Sequence, residues 1–317
     1  MTLGKRFDVT VAGELNMDLV LYGLPQELPP EREHLASRLQ FTLGSSSAIF
    51  AHNLSVLGSR VGFIARISRD LFGETSLKRL AESGTDVSRV IELDKTNGGT
   101  GLTVVLPCGS ERRILTYSGT TFGLRFEDLD FDYLTSGRHF HMASFFLHRG
   151  LAPRMTEIFR TIKSAGVTIS LDPNDDPADT WGGAFFEVLP YVDILFMNER
   201  EARAAARTDH LPTAMEQFAE AVPTVVIKRG REGALARSAG KEFSASALSI
   251  NPVDSIGAGD SFDAGFVHWY LRGGDVPTCL KYANASAAFS LTCAGGTEAF
   301  VSRETMDKFF REHVVSD

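Results

Sequence analysis

The chain has 317 residues, 43% of them hydrophobic, which is enough to build a sizeable core in one large domain or in two. Its 40 acidic and 32 basic residues give a net charge of −8, and this balance argues against a nucleic-acid partner. Three cysteines without metal-binding spacing, a start without an apolar signal segment and the lack of an apolar run of ~20 residues predict a cytoplasmic protein with no membrane partner.

The first predicted strand covers residues 7–13 and continues into an extended segment that carries Asn16 and Asp18. Because successive side chains of a strand alternate between its faces, these two side chains share one face. An amide and a carboxylate placed in this way can bind vicinal hydroxyls, since the carboxylate accepts hydrogen bonds and the amide both accepts and donates them. Without further context, a solvated strand end explains the same pattern more simply.

Three segments predict a small sheet that is separate from the main one. Residues 35–43 alternate weakly in hydrophobicity. Residues 100–107 and 112–117 form two strands on either side of a hairpin signal, Cys108-Gly109-Ser110-Glu111.

Further along the chain, strands and helices alternate. The predicted elements are strand 138–143, helix 151–165, strands 167–172 and 192–197, helices 199–207 and 213–221, and strand 224–228. This alternation predicts a parallel sheet with helices on both faces, and catalytic groups are expected at the carboxyl ends of its strands. Asn198 and Glu201 follow one strand end, three residues apart at a helix start, so both side chains can point at one site. Helix capping is the simpler local explanation for this pair.

A glycine-rich loop, Gly257-Ala258-Gly259-Asp260, precedes a predicted amphipathic helix. Backbone N–H groups at a helix N-terminus lack intrahelical partners and lie at the positive end of the helix dipole, so they can bind an anion. Asp260 would repel that anion, and its position suits a base that deprotonates an attacking hydroxyl. A glycine loop with a carboxylate in the first helical turn is also a common structural arrangement, and the local pattern leaves both interpretations open.

Five segments together resemble the ribokinase-like (PfkB) carbohydrate kinases, and the resemblance extends from residue 7 to about residue 310. The segments are D-S-I-G-A-G-D-S-F at 254–262, G-x-x-N-x-D at 13–18, a Gly44-Ser45 helix start followed by Leu57-Gly58, N-x-x-E at 198–201 and G-x-x-G at 230–233. Three positions depart from the family pattern: Ser255 replaces Thr, Ser45 replaces Gly, and Ile49 stands where ribokinases have a substrate-binding Asn. The departure at Ile49 argues against ribose as the substrate.

The resemblance implies that Asp260 is the catalytic base and that the backbone of Gly257, Ala258 and Gly259 forms an anion hole for the transferred phosphate. It also implies a sugar site drawn from several parts of the chain. The residues that we assign to the sugar site are Asn16, Asp18, Gly44, Ser45, Asn53, Ser144 and Asp260. Asn53 is included because it lies one helical turn after Ile49 and can contribute in place of the missing Asn.

ATP and Mg²⁺ are the cofactors that the resemblance implies. The residues assigned to them are Asn198, Glu201, Lys228, Gly230, Gly233, Gly259 and Asn284. Glu201 is expected to act on Mg²⁺ through water, a coordination that magnesium favours. Asp254, Ile256 and Gly295 match a monovalent-cation loop of the family, although Cys293 and Ala299 remove side chains that usually line it. Partial activation by K⁺ is therefore expected.

The implied fold class is α/β: a ribokinase-like three-layer α/β/α sandwich with a central, mostly parallel sheet. One kinase domain would span residues 1–317, with a small β-sheet lid formed by insertions at about 14–43 and 98–120. In the family this lid is often a dimer interface, so a homodimer is expected. The expected reaction is transfer of the ATP γ-phosphate to a hydroxymethyl group of a sugar that the sequence does not identify.

Two alternatives stay open. One is a nucleoside (adenosine-like) kinase of the same fold, because substrate choice lies in the lid and the pocket. The other is a non-catalytic sugar-binding regulator. The joint presence of Asp260, the glycines, Asn198 and Glu201 speaks against the regulator, because binding alone needs no base.

Overall fold

The computed structural model describes residues 5–108 and 111–314. In chain order, the strands are β1 (Phe7–Ala12), β2 (Met17–Tyr22), β3 (Arg38–Leu43), β4 (Val61–Ile64), β5 (Arg66–Ser68), β6 (Ile91–Leu93), β7 (Leu102–Cys108), β8 (Glu111–Tyr117), β9 (Gly137–Ala143), β10 (Thr168–Asp172), β11 (Ile194–Asn198), β12 (Thr224–Lys228), β13 (Ala234–Ser238) and β14 (Lys241–Ala245). The α-helices are α1 (Ser46–Val56), α2 (Leu71–Glu82), α3 (Phe131–Thr135), α4 (Met155–Ser164), α5 (Ala184–Val188), α6 (Glu199–Ala206), α7 (Leu211–Ala219), α8 (Ala258–Tyr270), α9 (Val276–Ser290) and α10 (Arg303–His313).

The central sheet has eight strands in the order β14-β13-β12-β11-β10-β9-β1-β4. All strands from β12 to β4 are parallel, so the prediction of a mostly parallel sheet is confirmed. The antiparallel strands β13 and β14 at the edge were not predicted. They form a tight hairpin because Ala239 and Gly240, between the paired residues Ser238 and Lys241, both have positive φ angles.

Helices cover both faces of this sheet, so the three-layer sandwich is confirmed. One face carries α3 to α7, and its core includes Phe140 and Phe159. The other face carries α1, α2, α8 and α9, and its core includes Phe63 and Phe196. Strands between two such layers are buried on both sides, which explains the nearly continuous apolar sequences of β11 and β12. None of the helices in the described part of the chain has the length and apolar character needed to cross a membrane.

A second sheet, in the order β3-β2-β7-β8, is the small separate sheet that the sequence predicted, and we call it the lid sheet. The predicted hairpin turn at residues 109–110 lies outside the described residues. Asp18 pairs with Thr42 on one side and with Thr103 on the other, so these three polar side chains share one face. The opposite face is mostly apolar, and three large apolar side chains on it are more than half exposed: Leu39, Leu115 and Tyr117.

Candidate active site

The loop that precedes α8 is built from backbone. Gly257 has a left-handed conformation with φ of 70°, and the helix begins at Ala258. The first helical N–H with a partner four residues back belongs to Ser261, which donates to the carbonyl of Gly257 at 2.9 Å. The N–H groups of Gly259 and Asp260 therefore precede the helical hydrogen bonds and lie at the positive end of the helix dipole. This geometry suits an anion, and we call residues 257–260 the anion loop.

The anion loop has no room for a side chain at Gly257. An added Cβ would lie 2.6 Å from Cα of Gly296 and 3.0 Å from Cγ2 of Ile49. Ile49, the residue that departs from the family's Asn, thus packs against the loop. At Gly259, an added Cβ would lie 3.3 Å from Nζ of Lys228, which places a cation directly beside the loop.

Asp260 lies in the first turn of α8, with its side chain buried. Its carboxyl forms a hydrogen bond with the side chain of Ser46 at the start of α1. Burial raises the pKa of Asp260 to about 7, although the nearby Lys228 ammonium opposes this rise. A carboxyl whose pKa lies near neutral pH is well matched to accept a proton from a hydroxyl.

The predicted hydroxyl-binding side chains converge at Gly44. An added Cβ at Gly44 would lie 2.0 Å from Oδ1 of Asp18 and 2.7 Å from Oδ1 of Asn16. The hydroxyl of Ser45 donates to Oδ1 of Asn16 at 2.5 Å, and Nδ2 of Asn16 donates to Oγ1 of Thr103 at 3.1 Å. The structure thus brings four of the predicted sugar-site residues together beside the lid sheet.

Asp18 lies close enough to Asp260 for the charge of Asp260 to affect it. The pKa of Asp18 is raised to about 7, first by burial and then by the negative charges of Asp260 and Asp254. Thr42, which pairs with Asp18 in the lid sheet, lies against Gly295, and the next residue, Gly296, packs on Gly257. The predicted sugar-site residues and the anion loop are therefore neighbours, and we call the space between them the cleft.

Sequence reasoning missed a buried hydrogen-bond network around Glu14. Glu14 is buried, and its carboxylate accepts hydrogen bonds from the N–H and hydroxyl of Ser47 and from the hydroxyl of Ser144. Nε2 of His148 lies 3.3 Å from Oε2 of Glu14. Burial alone would raise the pKa of Glu14, but His148 and Ser47 outweigh burial and hold the pKa at about 2. Through these contacts, Glu14 links the end of β1 to the start of α1 and to the start of the segment that follows β9.

Only a weak sequence signal pointed to this network: Glu14 directly follows the strand-ending Gly13. Ser144, predicted to contact the substrate, belongs to this network through its hydroxyl. Its N–H donates to Oδ1 of Asn174 at 2.7 Å. The Ser144 hydroxyl is therefore already directed at Glu14.

Asn53, another predicted sugar-site residue, is completely buried. Its Nδ2 donates to Oγ of Ser261 and to the carbonyl of Gly296, both at 2.9 Å. Its Oδ1 lies 2.9 Å from Nδ1 of His52. The amide of Asn53 therefore joins α1 to the two backbone segments that form the anion loop and its support.

A buried charge cluster lies beneath the anion loop. Nζ of Lys228, at the end of β12, donates to Oδ2 of Asp172 at 2.5 Å and to the carboxyl of Asp263 at 3.2 and 3.3 Å. Burial and the nearby Asp172 carboxylate raise the pKa of Asp263 well above its usual range, and the Lys228 ammonium opposes this rise. Sequence reasoning placed Lys228 at the site but missed Asp263, which follows Asp260 by three residues on the same helix.

Asn198 and Glu201 form a reciprocal cap at the start of α6. The side chain of Asn198 accepts from the N–H of Glu201, and the carboxylate of Glu201 accepts from the N–H of Asn198, both at 2.9 Å. Burial and the charge of the nearby Asp172 raise the pKa of Glu201. In the sheet, Asn198 pairs with Lys228, so this cap lies beside the charge cluster.

The other predicted nucleotide-site residues lie in two places. Gly230 and Gly233 form a tight turn after β12, in which the N–H of Gly233 donates to the carbonyl of Gly230 at 3.1 Å. Asn284, on α9, is buried and donates to the carbonyls of Ala245 and Ser246 at 3.0 and 3.2 Å. The turn thus continues from the strand that carries Lys228, whereas Asn284 is bound to the end of β14.

Asp254, at the start of the predicted cation loop, accepts hydrogen bonds from three donors. Its Oδ1 accepts from the N–H of Ile256 and its Oδ2 accepts from the N–H of Gly295, both at 2.8 Å. The hydroxyl of Tyr22, on the lid sheet, also donates to Oδ2. Three of the roughly four acceptor positions of a carboxylate are therefore filled, which leaves little for a cation.

Known proteins match the chain over most of its length. The family model described as "pfkB family carbohydrate kinase" matches residues 6–303. The chain is 29% identical to an ATP-dependent ribose-1-phosphate kinase of Halopiger xanaduensis, with 92% of this chain and 94% of that protein covered. It is 26% identical to a 5-dehydro-2-deoxygluconokinase of Geobacillus thermodenitrificans, with 97% and 94% covered.

Solved structures share the fold. An E. coli protein described as ribokinase II, in complex with ATP and Mg²⁺, matches with a TM-score of 0.86 at 25% identity, over 97% of this chain and 100% of that chain. An adenosine kinase of Sinorhizobium meliloti matches with a TM-score of 0.81 at 20% identity, over 92% and 95%. These matches establish the ribokinase-like α/β fold. The chain belongs to the pfkB family of carbohydrate kinases.

Proposed function

We propose that this protein transfers the γ-phosphate of ATP to a hydroxymethyl group of a sugar. The observation that carries the proposal is the position of Asp260, a buried carboxyl with a pKa of about 7 that adjoins the backbone N–H groups of the anion loop and lies close enough to Asp18 to affect its pKa. Asp260 takes the proton of the sugar hydroxyl, the oxygen bonds to the γ-phosphorus, and the bond from that phosphorus to the leaving oxygen of ADP breaks. N–H groups of Gly257 to Asp260 stabilise the charge on the transferring group.

The sugar is held by Asn16, Asp18, Gly44 and Ser45 beneath the lid sheet. Three of these side chains supply both donors and acceptors, as vicinal hydroxyls need. The lid sheet covers them and excludes water, which favours transfer to the sugar over hydrolysis. The names of the relatives, which include kinases of a sugar phosphate and of a deoxy-keto sugar acid, support a sugar or sugar derivative as the acceptor.

The nucleotide phosphates lie at the ends of β10, β11 and β12, where Asp172, Asn198 and Lys228 lie side by side. Within the described part of the chain, no three His, Cys, Asp or Glu side chains converge to hold a metal ion. Glu201, at the start of α6 beside these strand ends, would hold Mg²⁺ through water, a coordination that this ion prefers. Mg²⁺ supplies neutralisation of phosphate charge.

The proposal includes a weak activation by K⁺. Asp254, Ile256 and Gly295 lie together, but the carboxylate of Asp254 already accepts three hydrogen bonds. K⁺ therefore activates only partially relative to Na⁺. Equal rates in the two salts would show that no cation site operates.

The face of the lid sheet opposite Asp18, its outer face, supports homodimerisation through this sheet. Leu39, Leu115 and Tyr117 are exposed there, and apolar clusters of this kind are uncommon on monomer surfaces. Sedimentation of the parent and of Leu39→Lys/Leu115→Lys tests this interface. A parent that sediments as a monomer contradicts it.

The decisive experiment is a coupled assay for ADP release with ATP, Mg²⁺ and a panel of acceptors. The panel contains pentoses, hexoses, sugar phosphates, keto sugar acids and nucleosides. Turnover with one sugar class at a kcat/KM well above that of all nucleosides supports the proposal. Turnover with nucleosides only would make the protein a nucleoside kinase, and binding without turnover for any acceptor would make it a regulator.

A further inference from the structure

One strand of the lid sheet contacts one end of segment 254–260 and lies near its other end. Along β2, the side chains of Asp18, Val20 and Tyr22 lie on the same face. The hydroxyl of Tyr22 donates to Asp254, and Asp18 lies close enough to Asp260 for the charge of Asp260 to raise its pKa. One face of this strand therefore carries both the hydrogen bond to Asp254 and the carboxyl near Asp260.

Asp254 organises the backbone that leads into the anion loop. Its two oxygens accept from the N–H groups of Ile256 and Gly295, so it holds the segment before Gly257 against the segment of Gly295 and Gly296. Gly257 packs on Gly296 so closely that not even a methyl group fits between them. A movement of Asp254 would therefore move the N–H groups that face the phosphate.

Tyr22 is held in place to act on Asp254. The guanidinium of Arg38, its partner on β3, lies 4.2 Å from the centre of the Tyr22 ring. Burial, together with the hydrogen bond to Asp254, raises the pKa of the Tyr22 hydroxyl, so it stays protonated and remains a donor at working pH. A hydrogen bond to a charged acceptor is among the stronger ones in proteins.

We propose that Tyr22 is a positioning residue that couples the sugar-binding strand of the lid sheet to the anion loop through Asp254. The inference rests on the proposed kinase function. When the sugar fixes Asp18, it also fixes Tyr22 on the same rigid strand, and Tyr22 then fixes the loop that meets the phosphate. Donors to a transferring group must be held to within a fraction of an ångström, so loss of this link lowers kcat rather than substrate affinity.

The test is Tyr22→Phe, which keeps the ring under Arg38 and removes only the donor. We expect kcat to fall ~10-fold, KM for ATP to stay within about twofold, and the melting temperature to change little. Tyr117→Phe is the matched control, because it makes the same change on the outer face of the same sheet. Unchanged kcat in Tyr22→Phe would overturn the inference.

Two further measurements separate positioning from a general effect on structure. Hydrogen exchange of peptides that cover residues 254–257 and 294–296 should become several-fold faster in Tyr22→Phe and stay unchanged in Tyr117→Phe. In the Asp254→Ala background, Tyr22→Phe should have little additional effect on kcat, because the acceptor that links Tyr22 to the loop is already gone. Full additivity, or unchanged exchange, would refute coupling through Asp254.

These measurements also distinguish failure of the inference from failure of the proposed function. If the parent protein phosphorylates no acceptor, the kinase assignment fails, but the exchange experiment still shows whether Tyr22 holds the loop. If the parent is active and both measurements are unchanged in Tyr22→Phe, the kinase assignment stands and the coupling does not exist.

Discussion

The sugar-facing half of the cleft is made of side chains, whereas the phosphate-facing half is made of backbone. Asn16 and Asp18 reach into the cleft from the lid sheet, and their positions depend on hydrogen bonds among polar groups. The anion loop instead begins α8, which packs tightly on α9: an added Cβ at Gly265 would lie 2.4 Å from Oγ of Ser286. Substitutions can therefore retune the sugar half individually, while the phosphate half tolerates almost none.

Asp260→Asn should have the largest effect, because Asp260 serves both halves. The amide keeps the shape but cannot accept the proton, so kcat should fall by ~10²–10⁴. ATP affinity should persist or rise, because a negative charge beside the γ-phosphate is lost. Steady-state kinetics, ATP binding and melting temperature measure these effects.

Asp275→Ala provides the control for Asp260→Asn. Asp275 caps α9 through the N–H of Thr278, so its loss should cost ~1 kcal/mol of stability and leave turnover normal. If Asp260→Asn behaves in the same way, Asp260 only supports its helix and the proposed base is wrong.

Gly257→Val tests the backbone half alone. The valine side chain would collide with Gly296 and force the loop out of its left-handed conformation. The N–H groups of the loop would then no longer point at the phosphate. We expect kcat to fall by ~10²–10³, as for loss of an oxyanion donor, with sugar affinity retained. Binding of the sugar measured by calorimetry checks the second part. Parallel losses of sugar affinity and kcat would show that the two halves are not separate.

Asp18→Ala tests the side-chain half. It removes an acceptor and leaves sugar hydroxyls unpaired in a closed cleft, which should weaken sugar binding by ~1–3 kcal/mol. ATP binding should change much less. Equal losses for the two ligands would contradict the assignment of Asp18 to the sugar.

The pH dependence of stability provides a separate test of Asp260. The pKa of Asp260 is about 7 in the folded protein and near 3.8 when unperturbed, so between these values the folded state binds more protons than the unfolded state. The contribution of Asp260 to stability is therefore full below pH ~4 and is lost as the pH rises through ~7. Activity should show the opposite trend and rise with a midpoint near pH 7, because the base must be ionised.

Asp260→Asn again supplies the comparison. Its melting temperature should fall less than that of the parent between pH 5 and pH 8. An identical pH profile of melting temperature in the two proteins would show that Asp260 does not titrate in this range.

The sequence predicted those parts of the site whose residues lie close to one another along the chain. The anion loop, the pair Asn16 and Asp18, and the capping pair Asn198 and Glu201 each lie within a few residues of one another. The contacts that it missed join distant segments: Tyr22 and Asp254 are 232 residues apart, and Glu14 and Ser144 are 130 apart. No periodicity encodes such pairs, since they arise only when the sheet order brings strand ends together.

The order of strands in the sheet also determines when each strand can pair with its neighbours during synthesis on the ribosome. β1 is synthesised early but lies between β4 and β9, so it gains its second neighbour only when residues 137–143 have emerged. Asn16 and Asp18 must then wait for α8, more than 230 residues later in the chain, before a phosphate-binding loop exists beside them. Long-range pairing of this kind is slow and exposes strand edges in the interim. A nascent chain would thus hold the sugar-facing half of the cleft without its phosphate-facing half through most of its synthesis, and this interval is when chaperone protection would matter most.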